Sequence, residues 1–97
     1  MYNLASMRSW LEDAATSHSP PLAQCVLFGS ILNSSQPADV DVVLVSNEWY
    51  IQNILTEMRL NFVAEFRLPL HLQLFHISQV EAINKFLNRA GKIEILL

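Results

Sequence analysis

One cysteine is all the chain has, so no disulfide can close within it and no cysteine-cluster zinc site can form. That residue, Cys25, lies in the apolar run Gln24-Cys25-Val26-Leu27-Phe28 and reads as a buried strand residue rather than a reactive thiol. Basic residues are also scarce. Six Lys and Arg against nine Asp and Glu give a formal net charge of -3, which removes the electrostatic basis for broad nucleic-acid binding. Long apolar runs are missing too, and no basic segment precedes the short ones. Neither a transmembrane helix nor a signal peptide is expected, and the location implied is cytoplasmic. There are no repeats and no low-complexity tracts. What remains is a chain of 97 residues, 52% of them hydrophobic, enough for one core and one small domain over residues 1–97.

Leu4, Met7, Leu11 and Ala14 recur at helical spacing, and the pattern stops at Ser17-His18-Ser19-Pro20-Pro21, which predicts a first amphipathic helix and a turn. Leu22 to Phe28 reads as a buried strand ended by Gly29. After the turn-forming Asn33-Ser34-Ser35-Gln36-Pro37, the β-branched run from Val40 to Val45 predicts a second strand. Ser46 and Asn47 can cap a helix running from Glu48, with Ile51, Ile54, Leu55, Met58 and Phe62 on one face, that ends before Pro69. Leu70, Leu72 and Leu74 alternate with His71, Gln73 and Phe75 as a third strand. Ser78 and Glu81 have the spacing of a capping box for a last helix with Val80, Ile83, Leu87 and Ala90 inward; Gly91 closes it, and Ile93 to Leu97 can add an edge strand. Trp10 and Trp49 fall in predicted helices and read as core or interface residues. His18 and His76 receive no role, and Lys85 and Lys92 fall at ordinary helix-surface positions.

This order defines an α/β (α+β) fold: a small mixed sheet of three to four strands with helices packed on it. Only Ile31 to Ala38 separate the first two strands, too few for a parallel crossover, so those strands should be antiparallel. A full helix joins the second and third strands, which suits a right-handed parallel crossover. Gly29 and Ser30 should therefore lie beside Asp39 and Asp41, with His71 nearby.

Asp39 and Asp41 are two apart, so their carboxylates share a face of the strand while Val40 and Val42 point to the other. Like charges at that spacing repel, and a divalent cation such as Mg²⁺ between them resolves the conflict while leaving positions open for phosphate. Gly29 lets the backbone approach a ligand, and Ser30 offers a hydroxyl and an N–H.

Leu27-Phe28-Gly29-Ser30, a spacer, then Asp39-Val40-Asp41-Val42-Val43 resembles the Gly-Ser…Asp-x-Asp signature of the polymerase-β-like nucleotidyltransferases, and the element order is similar to that of their minimal, stand-alone members over nearly the whole chain. The resemblance implies the nucleotidyltransferase fold, with Gly29 and Ser30 on nucleotide phosphate and Asp39 and Asp41 as the catalytic pair on Mg²⁺ or Mn²⁺. It implies transfer of a nucleotidyl group from a nucleoside triphosphate such as ATP to a hydroxyl. Small members of this kind resemble antitoxins paired with a helical partner of the HEPN type, which keeps a second function open: a catalytically degenerate binding module. The family pattern has a third carboxylate on the next strand, where this chain has His71 after Pro69-Leu70; Gln73 is neutral, and Glu65 falls in the preceding helix. His71 is the candidate third metal ligand in its place. The segment Ile31-Leu32-Asn33-Ser34-Ser35 also lacks the basic and glycine residues common in active relatives. The apolar fraction in so small a chain further suggests a shared interface, with a copy of itself or with a helical partner.

Overall fold

The strand Val40–Ser46 organises the molecule, because six of its seven residues are buried and it has a strand on either side. The structure is a computed structural model that describes residues 3–17, 21–49 and 52–97. In chain order its elements are α1 (Leu4–Thr16), β1 (Gln24–Phe28), a short 3₁₀ turn (Ser30–Leu32), β2 (Val40–Ser46), α2 (Gln52–Phe66), β3 (Leu70–His76), α3 (Val80–Ala90) and β4 (Ile93–Ile95). The sheet order is β3-β2-β1-β4. β1 pairs antiparallel with β2 and with β4, while β2 pairs parallel with β3, as the connection lengths require.

Alternation along the strands gives the sheet two unlike layers. Cys25, Leu27, Val42 and Leu44 face α1 and α2, where Met7, Leu11, Leu55 and Phe62 complete the larger core. Val26, Val43 and Val45 face the other way and meet Ile83 of α3, with Phe28, Phe75 and Phe86 packed around them. Trp10 belongs to the first layer, edge-to-face on Phe62 at 5.3 Å and on Phe66 at 6.2 Å. Burial pushes the Cys25 thiol up to about 12, with Glu12 adding to the effect, so it behaves as a small apolar residue. Asn3 caps α1 through its side chain, which accepts the Ser6 N–H. Arg67, at φ 60, turns the chain out of α2 towards β3. No helix among the described residues is long and apolar enough to cross a membrane.

Several local expectations change. The Ser78/Glu81 capping box does not form: the Ser78 hydroxyl lies 2.7 Å from His76 Nδ1, and α3 starts after Gln79 with no side-chain cap. Val80, expected inward, is exposed. Trp49 precedes the helix rather than lying in it, and its ring stacks on His76 at 4.0 Å and 1°. Ser46 bonds the Glu48 N–H at 2.9 Å, a side-chain turn that competes with helix over Asn47–Trp49. β1 starts at Gln24, two residues after the expected Leu22, and β4 ends at Ile95 although Leu96 and Leu97 still bond Cys25. On α1, Ala15 takes the fully buried place expected of Ala14. The expected turn through His18, Ser19 and Pro20, and the place of Ile51 on its helix face, lie outside the described residues.

Phe62 is fully buried at the meeting of α1, α2 and the sheet. Phe62→Ala should cost roughly 3–5 kcal/mol, the range for emptying a buried aromatic site. Urea midpoints measured at constant m-value check this, and a loss under about 1 kcal/mol would mean that the two helices repack around the gap.

Candidate functional site

The sheet register sets the site. Phe28 of β1 pairs with Asp41 of β2, and Asp41 pairs with His71 of β3, so a glycine, a carboxylate and an imidazole meet at one end of three adjacent strands. Asp39 stands just before β2 and joins them. His71 Nδ1 lies 3.4 Å from Asp39 Oδ2 and 3.4 Å from Asp41 Oδ1. One ligand atom from each of the three residues falls within 4.8 Å of the others, the only grouping of at least three potential metal-ligating side chains among the described residues. The cluster sits on an open rim: the His71 side chain is 62% exposed, while Asp39 and Asp41 are partly covered. The molecule's hollows lie elsewhere, such as one of about 150 Å³ between α1 and α2 lined by Trp10, Ala14 and Met58.

Gly29 is built against this cluster. Its backbone, at φ 84 and ψ -159, lies in a region that side chains other than hydrogen rarely tolerate. A Cβ there would stand 2.5 Å from Asp41 Oδ2. The glycine therefore serves two needs at once, the turn out of β1 and the room for Asp41. Ser30 follows at the surface and opens the 3₁₀ turn, its carbonyl accepting the N–H groups of Asn33 at 3.0 Å and Ser34 at 2.8 Å.

Burial, and then the charge of Asp39, push Asp41 above the ordinary carboxylate range, while His71 pulls it back. A carboxylate held in this way is under electrostatic load, which a cation or a proton relieves. Gln73 lies exposed on the same face of β3, one position beyond His71 on that side, and Glu65 is on α2 beside Trp10 and Phe66, away from the cluster. No third carboxylate joins Asp39 and Asp41 among the described residues.

At the opposite end of β2 and β3, sequence reasoning overlooked His76. Its ring is held between Trp49, the Asn47 carbonyl at 3.1 Å and the Ser78 N–H at 3.1 Å. The Ser78 N–H donates to Nδ1, so the proton of the neutral ring lies on Nε2, facing the Asn47 carbonyl. The available signal was the run His76-Ile77-Ser78-Gln79, whose polar side chains fold back on their own backbone.

A mixed four-stranded sheet with helices packed on both faces in this order is the nucleotidyltransferase fold. The chain is similar to the crystal structure of a double Asp-to-Glu mutant of the toxin–antitoxin MntA-HpeT, with a TM-score of 0.62 and 14% sequence identity over 99% of this chain and 73% of that one. At that identity the likeness shows the fold. No protein-family model matches the chain, and no curated protein matches it.

Two outcomes test the geometry. Gly29→Ala should lose at least about 2 kcal/mol, whereas Gly91→Ala, with a positive φ of 77 but nothing near its added Cβ, should lose only the backbone strain of about 1 kcal/mol. Adding Asp41→Ala to Gly29→Ala should recover the excess; a double mutant showing simple additivity would mean that the two residues do not press on each other. The second outcome concerns pH. Because the folded state holds the Asp41 proton more tightly than the unfolded chain does, ionised Asp41 costs stability above its raised pKa, and that cost vanishes as pH falls through it. In metal-free buffer Asp41→Asn should be more stable than wild type near about pH 7, and the gap should close towards about pH 4. Urea midpoints across that range decide it, a pH-independent gap being the contrary result.

Proposed function

We propose that this chain, a single domain over residues 1–97, is a divalent-metal-dependent nucleotidyltransferase that moves a nucleotidyl group from a nucleoside triphosphate, ATP in the first instance, to a hydroxyl acceptor. The observation that carries this reading is the convergence of Asp39, Asp41 and His71 beside Gly29. The donor set fits such an ion: two hard carboxylate oxygens and one imidazole nitrogen, with ionised Asp41 disfavoured by burial and then by the charge of Asp39. When bound, Mg²⁺ or Mn²⁺ supplies neutralisation of phosphate charge and a fixed orientation for attacking and leaving oxygens. Asp39 and Asp41 would hold it, with His71 as the third ligand. Gly29, bare of side chain, leaves Asp41 its place at the turn, and the Ser30 hydroxyl and N–H are available to donate to phosphate. The acceptor hydroxyl oxygen would form the new bond to the α-phosphorus as the bond to pyrophosphate breaks, its proton passing to water. With an imidazole where a third acid would stand, the site carries less negative charge, so the ion should be held more weakly and Mn²⁺ should be favoured over Mg²⁺.

A second reading draws support from the same histidine and from the toxin–antitoxin neighbour: a catalytically silent module that neutralises a partner, a helical protein of the HEPN type, in the cytoplasm. Chemistry separates the two. Calorimetry should give Mn²⁺ binding in the wild type that Asp39→Asn/Asp41→Asn abolishes, and His71→Asp should raise Mg²⁺ affinity about tenfold together with nucleotide transfer. Equal Mn²⁺ affinity in wild type and the double Asn variant would remove the metal site. Metal binding with no transfer in either wild type or His71→Asp would leave the silent module.

A further inference from the structure

β3 is an edge strand, and the hydrogen-bond phase shows which of its backbone groups are open. The Val40 N–H donates to the Pro69 carbonyl at 2.9 Å, and the Ile77 N–H donates to the Ser46 carbonyl at 2.9 Å. With Val40 in register with Leu70, the parallel ladder then uses His71, Gln73 and Phe75 towards β2, and turns Leu70, Leu72, Leu74 and His76 outward. The His76 N–H is closed off by the Gln79 side chain at 2.8 Å. Leu70, Leu72 and Leu74 are left as an open edge. Devices that normally blunt such an edge are missing, since β3 carries no lysine, no carboxylate and no internal proline.

A second feature lies on the same flank. α1 packs against one side of α2, where Trp10 meets Phe62 and Phe66 and where Ile54, Glu57 and Asn61 line the hollow between the helices. The opposite side of α2, on the β3 side of the sheet, carries Leu60 at 67% and Val63 at 42% exposure, two apolar residues three apart on one stripe.

We infer that this flank is a self-association surface whose occupant is a second copy of the chain, paired antiparallel through β3. A two-fold axis through Leu72 sets Leu72 against its counterpart and Leu70 against Leu74 of the second copy. Each such pair exchanges two hydrogen bonds, so the three open residues are satisfied by roughly six bonds. That axis is perpendicular to the sheet, so both α2 helices stay on the same face. The two helices then stand side by side across the axis, where neighbouring helices pack at about 8–10 Å. Leu60 and Val63 close against the same residues of the other copy. The edge thus complements itself in polar groups, and the helix flank complements itself in apolar ones. With a seven-residue strand and a fifteen-residue helix on each side, the pair buries on the order of 1,000 Å², below the range of permanent dimers, so the association should be reversible.

The pairing reaches the candidate site. In this register the second copy's Gln73 stands opposite His71, so each copy places an amide beside the other's Asp39/Asp41/His71 cluster. The dimer does not depend on whether the site is catalytic.

Sedimentation equilibrium from about 1 to about 500 µM, combined with amide exchange read residue by residue, tests this. The expected result is a monomer–dimer equilibrium in which the Leu70, Leu72 and Leu74 amides become protected as concentration rises, while His71 and Gln73 are protected throughout. Leu60→Glu, on an exposed position that leaves the fold intact, should weaken the dimer at least tenfold. A monomer at about 500 µM overturns the inference, even if those amides become protected when a different protein binds. A dimer that leaves the three amides unprotected, or that Leu60→Glu does not weaken, overturns it as well.

Discussion

The antiparallel pairing of β1 with β2 is the constraint from which the rest of the molecule follows. It sets Phe28 against Asp41, and so brings the end of one strand and the start of the next to the same point of the sheet. Everything needed at the candidate site is then one residue away: Gly29 after Phe28, Asp39 before Val40, and His71 across the parallel ladder. β2 can bear this load because it is clamped by hydrogen bonds on both sides and by apolar layers on both faces. A one-residue slip of β2 would turn Val42 and Leu44 out of the larger core and bury Asp41 in their stead, so the register of the site is enforced by hydrophobic burial rather than by polar contacts within the site.

The two aspartates illustrate how a site can be assembled against its own electrostatics. Asp41 is partly desolvated, lies near Asp39, and leaves no room for a Cβ at position 29. Burial and the charge of Asp39 disfavour ionised Asp41, and His71 offsets them in part. The arrangement persists because the strands that carry it are fixed by the core.

Much of this was legible in the chain, and the reasons differ by residue. The strand pairings could be read because eight residues between Phe28-Gly29-Ser30 and Asp39 are too few for a parallel crossover, and because the β-branched run Val40–Val45 and the alternation from Leu70 to Phe75 mark strands on either side of a helix. His71 could be placed beside Asp41 for the same reason. The environment of Asp41 was not legible, since a contact measured from a missing Cβ leaves no trace in spacing or composition. Nor was the region around Ser78: Ser, Gln and His side chains in sequence can cap a helix or bond one another, and here the imidazole of His76 took Ser78. Trp49 is expected in a helix because Ser46 and Asn47 can cap one running from Glu48, whereas Ser46 ties the backbone into a turn and the indole lies on His76.

The two layers on the sheet are unequal, and that inequality bears on how the protein opens. The larger layer holds both α1 and α2 through fully buried side chains, whereas α3 contributes a single buried residue, Ile83, with Phe86 and Leu87 half-covered and an apolar hollow of about 330 Å³ beneath its first turn. Detachment of α3 should therefore cost less than detachment of α1 or α2, and less than complete unfolding. Asp41 and His71 stand on strands secured from the other side, and Asp39 directly precedes one of them. A molecule with α3 released would keep its carboxylates and imidazole in register while baring Val26, Val43 and Val45, so the site can outlast the layer that shares its face.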